Sequence, residues 1–146
     1  MQGSNVKPEQ QVEKFREAFN SHDPDKILAE VDERFRYHDN FLHDPITDKS
    51  TYRQYLQEML GCFPDLTLTL DKVVVGRNEV AAVALVSGTQ KGEFKVPEGK
   101  VVPPSNKPMK DVQAVYLRYG PNGKIQEMQF FQNPRGILKQ LGTGIE

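Results

Sequence analysis

Cysteine is almost missing from this chain of 146 residues. Cys62 stands alone, which excludes an internal disulfide framework and a cysteine cluster for a metal. A charge surplus is also missing, since 19 lysine and arginine residues balance 20 aspartate and glutamate residues without a local run of either sign. Because nucleic-acid binding needs a concentrated positive surface, this balance argues against a nucleic-acid partner.

Long hydrophobic runs are absent as well. No stretch approaches the roughly 18 apolar residues that a membrane span needs, and the polar first ten residues do not resemble a signal peptide. We therefore expect no membrane partner and a cytoplasmic protein. A chain of this length suits one domain that buries about 70% of its extended surface, so its core needs no metal or disulfide support.

The chain is predicted to divide into a flexible leader, residues 1–7, and a single domain, residues 8–146. Apolar side chains at helical spacing predict three helices in the first half of the domain. These helices are expected over residues 8–21, 23–31 and 50–63, with Asp23 capping the second and Ser50 or Thr51 capping the third.

The later part of the chain is predicted to form a sheet. A short strand near Tyr37 precedes the third helix, and from Leu66 onward apolar residues alternate with threonine, as in a half-exposed strand. Further strands follow, the last two joined across "GPNG" at residues 120–123. Helices grouped before antiparallel strands indicate an α+β fold, and a sheet that curls around them leaves a pocket where they do not fill the curl.

Six short motifs occur in a characteristic order. They are "FREAFNSHDPDKI", "FPDL", "GTQKGEF", "PPSNKP", "NGKIQE" and "QLG". Together they resemble the SnoaL-like polyketide cyclase family of the nuclear transport factor 2-like superfamily, over about residues 9–142. The resemblance implies a cone-shaped fold in which about three helices pack on a curved antiparallel sheet and enclose a pocket. It also implies a small-molecule ligand, a homodimer through the sheet, and ring closure by an aldol step without metal or other cofactor.

The family pattern and this sequence differ near the end of the last strand. In the cyclases that strand runs through a glutamate and an aromatic residue to an aspartate, the general base. The matching positions here are Glu127, Gln129 and Asn133. An amide is not basic, and a general base contributes about 10²–10⁴-fold to the rate.

Three functions therefore stay open at this point. The first is cyclase- or isomerase-type acid–base chemistry on a small, largely apolar carbonyl compound. The second is a non-catalytic binding or sensing protein that has lost the base, and the third is an interaction module that dimerises around an occluded cone. An extra segment, residues 95–102, is expected to lengthen a loop or add an edge hairpin near the cone mouth.

His38, Asp39 and Asn133 are the candidate catalytic residues. His38 or Asp39 would have to replace the missing base, whereas the amides of Asn133 and Gln129 would orient a carbonyl or enol by hydrogen bonds. The structural alternative is a solvated loop around the histidine and amides that bond backbone groups at the strand end. Candidate ligand contacts are Phe19, Tyr52, Met59, Tyr116, Gln129 and Phe131, and no metal ligands are predicted.

Overall fold

The computed structural model describes residues 7–96 and 100–143, which form four helices and seven strands. The helices are α1 (Pro8–Asn20), α2 (Pro24–Leu28), α3 (Lys49–Cys62) and α4 (Pro134–Gln140). The strands are β1 (Val31–Asp39), β2 (Thr67–Val75), β3 (Glu79–Thr89), β4 (Phe94–Val96), β5 (Lys100–Val102), β6 (Pro108–Tyr119) and β7 (Ile125–Phe131). The expected flexible leader lies outside the described residues except for Lys7. Within the described ranges, no helix is both long and apolar enough to cross a membrane.

Five strands form one curved sheet in the order β1-β7-β6-β3-β2, and the predicted α+β class is confirmed. One detail of the prediction is wrong, because β1 runs parallel to β7 and the sheet is mixed rather than antiparallel. These two strands are connected through most of the domain and not by a hairpin, so no tight turn forces them to run in opposite directions.

Side chains at the helix ends attach the helices to the sheet. The amide of Asn20 bonds both backbone groups of Leu68, at 3.0 Å and 2.8 Å, and so covers part of the edge strand β2. Asp23 caps α2 as predicted, by accepting the backbone N–H of Asp25. The cap of α3 is Asp48, not Ser50 or Thr51, because its carboxylate accepts the N–H of Thr51 at 2.9 Å and its charge suits a helix N-terminus.

The core lies between the helices and the concave face of the sheet. Aromatic rings connect the two layers: Phe15 and Phe19 of α1 pack on Phe130 of β7 with ring centroids 6.3 and 6.4 Å apart. Tyr37 of β1 stacks on Tyr52 of α3 at 4.8 Å. Contacts of this kind contribute about 0.5–1.5 kcal/mol each beyond the area they bury, so they fix α1 and α3 against the inner face of the sheet.

The segment at residues 95–102 takes part in a separate two-stranded sheet made of β4 and β5. This arrangement matches the expected additional hairpin, although residues 97–99 lie outside the described ranges. Phe94 attaches the small sheet to the domain, since its ring meets Phe41 at 5.3 Å and Phe63 at 5.9 Å in edge-on contacts.

Gln90 holds both ends of this segment at its base. Its side chain is fully buried, and Nε2 donates to the carbonyl oxygens of Gly92, Val102 and Pro103 at 3.1–3.2 Å. Its Oε1 accepts the hydroxyl of Ser105 at 2.7 Å. One amide therefore joins the end of β3 to the chain on both sides of the hairpin.

Replacing Gln90 by alanine is expected to lower the free energy of unfolding by roughly 3 kcal/mol, because it removes four hydrogen bonds of a fully buried side chain and leaves a cavity in its place. The midpoint of urea unfolding measures the change. Gln57→Ala, at an exposed position of α3, serves as the matched control and should shift stability by less than about 0.5 kcal/mol. Equal losses of stability in the two variants would contradict the proposed role of Gln90 in holding both ends of the hairpin.

Candidate functional site

A cavity of about 80 Å³ lies between α3, the concave face of the sheet and β4. Its volume is several times the 10–15 Å³ or so that one water requires. Eight of the eighteen described lining residues are aromatic, and the sulfur-containing side chains of Met59 and Met109 also contribute. Glu58 and the exposed Lys95 also line it, so the cavity opens to solvent beside the small sheet.

A buried carboxylate lies beside this cavity at the end of β1. Asp39 is only 1% exposed, and its Oδ2 accepts the hydroxyls of both Tyr37 and Tyr55 at 2.6 Å. The backbone N–H of Phe41 donates to Oδ1 at 2.9 Å. Three donors thus stabilise a charge that would otherwise be costly to bury. Both phenols line the cavity, so they connect Asp39 to its interior.

The same arrangement fixes the protonation of the two tyrosines. Burial, and then the charge of Asp39, raise the pKa of Tyr37 and of Tyr55 well above the usual value for a phenol. Both hydroxyls therefore keep their protons at neutral pH and direct them to Asp39. Each phenolic oxygen can still accept a hydrogen bond from the cavity.

A second buried carboxylate lies on β6. Asp111 is 8% exposed and shares the inner face of β6 with Met109 and Gln113, which both line the cavity. Its Oδ2 accepts Nε2 of Gln113 at 3.1 Å and the backbone N–H of Asn133 at 3.3 Å. Burial raises the pKa of Asp111 despite these two hydrogen bonds, so it holds a proton more readily than an ordinary aspartate.

The structure brings some of the predicted site residues together at this cavity. Phe19, Tyr52 and Met59 contribute to its lining, and Asp39 lies directly behind the two lining phenols. Tyr52 donates its hydroxyl to the sulfur of Met128 at 3.4 Å. These residues come from α1, α3 and β1, so side chains from two helices and the first strand meet at the cavity.

His38 and Gln129 are placed elsewhere. They are paired in the parallel β1–β7 register and lie on the outer face of the sheet, opposite to the face that carries Asp39. Nε2 of His38 donates to the carbonyl oxygen of Leu42 at 3.0 Å, which leaves Nδ1 to accept from the amide of Gln129 at 3.3 Å. Neighbouring residues of a strand point to opposite faces, so His38 cannot share the cavity with Asp39.

Three further candidates also lie away from the cavity lining among the described residues. Tyr116 donates to Glu79 at 2.6 Å on the outer face, and Phe131 is 52% exposed there. The side chain of Asn133 caps α4 by accepting the N–H of Gly136 at 3.0 Å. Strand alternation and the helix start at Pro134 therefore turn these side chains away from the wall.

Sequence reasoning missed the second carboxylate and its amide neighbour. A visible signal was available, because Asp111 and Gln113 occupy core-facing positions in the alternating pattern of β6. Gln132, directly after β7, also lines the cavity without having been predicted to do so. A polar residue at a strand position that alternation assigns to the core is therefore a sequence signal for a site residue.

Metal and thiol chemistry have little support in the described part of the chain. Residues 7–96 and 100–143 contain no group of three or more histidine, cysteine, aspartate or glutamate side chains suited to holding a metal ion. Burial raises the pKa of the Cys62 thiol to about 12. A thiol of that kind is a poor nucleophile at neutral pH.

The sequence matches the SnoaL-like domain over residues 12–128. The chain belongs to this family. The matched family is of the cyclase/isomerase type, and solved structures similar to this chain share its nuclear transport factor 2-like fold. No curated protein sequence matches the chain.

Solved structures extend the likeness to nearly the whole SnoaL-like domain. IdmH from Streptomyces antibioticus, assigned as a polyketide cyclase, is 26% identical, with 93% of this chain and 99% of IdmH covered at a TM-score of 0.75. AclR from Streptomyces galilaeus, assigned as a hydroxylase, is 21% identical, with 94% and 82% covered at 0.78. A SnoaL-like polyketide cyclase from Agrobacterium tumefaciens is 19% identical, with 92% and 97% covered at 0.71.

The raised pKa of Asp111 predicts how stability depends on pH. A carboxyl group whose pKa is higher in the folded than in the unfolded protein stabilises the fold at low pH, and this contribution is lost as pH rises through the folded pKa. The stability of the wild type relative to Asp111→Asn should therefore fall as pH increases. Urea unfolding of both proteins from about pH 4 to pH 8 measures the difference.

Asp65→Asn provides a control of opposite sign. The backbone N–H of Thr89 lowers the pKa of Asp65, so the wild type should gain stability relative to this variant as pH rises from about 2 to about 5, and this pair is measured over that range. Slopes of the same sign for both pairs would contradict the assignment of Asp111 as a carboxyl group with a raised pKa.

Proposed function

We propose that this SnoaL-like protein binds a small, largely apolar carbonyl compound and moves a proton on it, in cyclase- or isomerase-type chemistry without a cofactor. The observation that carries the proposal is the contact of Asp39 with two phenols on the cavity wall. An apolar cavity with a few converging polar groups is the usual form of a small-molecule site.

The phenols allow Asp39 to act on a substrate that it does not touch directly. A proton from the carbon next to a substrate carbonyl passes to the phenolic oxygen of Tyr55 while the proton of Tyr55 passes to Asp39. The substrate becomes an enolate, Tyr55 stays neutral and Asp39 becomes a carboxylic acid. Return of the proton along the same path, after ring closure or at another carbon, restores the site.

Asp111 holds the side-chain amide of Gln113, which lines the cavity. The pKa of Asp111 is raised by burial, and Gln113 connects this carboxyl group to the cavity through the 3.1 Å hydrogen bond. A carboxyl group behind an amide does not pass a proton to the cavity, so Asp39 receives the proton, and the second N–H of the Gln113 amide donates a hydrogen bond to the developing oxygen charge.

Binding without catalysis is the alternative function. It is supported by Asn133, whose amide caps α4 where the cyclases carry their general base. The two functions differ in one measurable respect, because only the catalytic one exchanges protons on a bound ketone.

Asp39→Asn is expected to lower proton exchange by about 10²–10⁴-fold, since an amide cannot accept the proton. The assay follows loss of the C1 proton signal of 2-tetralone in D₂O by NMR, which needs no knowledge of the natural substrate. Tyr55→Phe should also slow the exchange, because it interrupts the path to Asp39.

Asp71→Asn is the matched control for this experiment. Asp71 lies at the exposed bulge of β2, with only a loose ion pair to Lys72 at 3.9 Å, so its replacement should leave the exchange rate unchanged. Binding of 2-tetralone without any enzyme-dependent exchange would refute the catalytic proposal and favour the binding protein.

We also propose that a second copy of the chain covers the outer face of the sheet. Apolar side chains on neighbouring strands are exposed together there: Val112 at 69% beside Leu85 at 37%, and Phe131 at 52% beside Ala114. Contiguous apolar patches of this kind commonly mark protein interfaces.

Val112→Arg is expected to convert a dimer into a monomer, because a charge would be buried without a partner at the interface. Sedimentation equilibrium measures the mass of each species. Val101→Arg serves as the control, since Val101 is 51% exposed on β5 of the separate small sheet. A monomeric wild type, or a Val112→Arg protein that still dimerises, would refute this interface.

A further inference from the structure

Gln132 carries a buried acceptor for which the described residues provide no donor. The residue follows β7 and lines the cavity, and its backbone N–H is held by the side chain of Asn40 at 2.5 Å. Its side-chain oxygen Oε1, however, is buried without a hydrogen-bond partner. Leaving such an atom unpaired is costly, and buried polar atoms of native proteins are nearly always paired.

Two phenols that line the same cavity can also accept hydrogen bonds. Tyr37 and Tyr55 both direct their hydroxyl protons to Asp39, so their oxygens offer only lone pairs to the cavity. Gln113 likewise directs its amide N–H at Asp111. The buried polar groups named here are therefore mainly acceptors, whereas the cation of Lys95 lies at the exposed opening, and a ligand that fits the buried groups must bring hydrogen-bond donors.

We propose that Gln132 is a specificity-determining residue that accepts a hydrogen bond from a hydroxyl group of the ligand. The ligand is then a hydroxylated carbonyl compound rather than a simple ketone. This inference rests on the proposed function and extends it, since it names a second functional group that the cavity recognises. The last torsion of a glutamine side chain is broad, so Oε1 is able to turn toward a hydroxyl at little cost.

A hydrogen bond of this kind should act mainly by rejecting ligands that lack the hydroxyl group. A site whose acceptor is left unpaired by the wrong ligand rejects that ligand more strongly than a purely apolar pocket rejects an extra methyl group. The pair 4′-hydroxyacetophenone and 4′-methylacetophenone isolates the effect, because both carry the same ring and carbonyl and differ only in hydroxyl against methyl.

The test compares the dissociation constants of these two probes for the wild type and for Gln132→Met, by calorimetry or by NMR titration. Methionine keeps the length of the side chain but has no amide. The preference for the hydroxylated probe over the methylated one should fall about tenfold, as expected for one hydrogen bond. Gln57→Met, on the exposed face of α3, should leave the preference unchanged.

The melting temperature of the free proteins provides a second measurement. Since Oε1 has no partner in the unliganded fold, Gln132→Met should melt at the same temperature as the wild type or higher. A lower melting temperature would show that the amide has a structural role and would overturn the inference.

An unchanged preference with both probes bound would also overturn the role of Gln132, while leaving the proposed function intact. Failure of both probes to bind would instead count against the carbonyl-binding function, and the role of Gln132 would fall with it.

Discussion

The negative charge of Asp39, held inside the domain, is the constraint on which the site depends. A buried carboxylate is tolerated only when donors replace the water it has lost. Here the donors come from three places in the chain: β1 itself, the turn that follows it, and α3. Because Tyr55 must reach Asp39, α3 has to lie across the end of β1, and the cavity forms beneath it. The stabilisation of the Asp39 charge therefore also determines where α3 lies on the sheet.

Much of the fold follows from local patterns. The apolar spacing of α1, the proline after Asp23 and the "GPNG" turn each specify their element without help from distant residues. The parallel pairing of β1 with β7 has no such local signal, because it depends on how the whole chain closes. The cap of α3 illustrates a smaller limit, since Asp48, Ser50 and Thr51 are all good caps and only the path of the loop selects among them.

The candidate site was predictable only in part, for a related reason. Asp39 was found from sequence, but its tyrosine partners were not, because Tyr55 reaches it from another element. Asn133 drew attention through its place in the family pattern, yet its side chain completes a helix end. Its backbone N–H contacts Asp111, so the same residue holds a carboxylate that lies 22 positions away in the chain. Both of these contacts of Asn133 are structural, so its position in the motif did not predict what its side chain does.

The small sheet of β4 and β5 is joined to the domain through the amide of Gln90 and the ring of Phe94, and it has no strand pairing with the five-stranded sheet. Its residues also form part of the cavity wall, through Phe94 and Lys95. A segment attached in this way can change its length and composition without disturbing the register of the main strands. The part of the wall at Phe94 and Lys95 can therefore vary, while the part formed by core residues such as Tyr37, Tyr52 and Phe130 stays constrained by the fold.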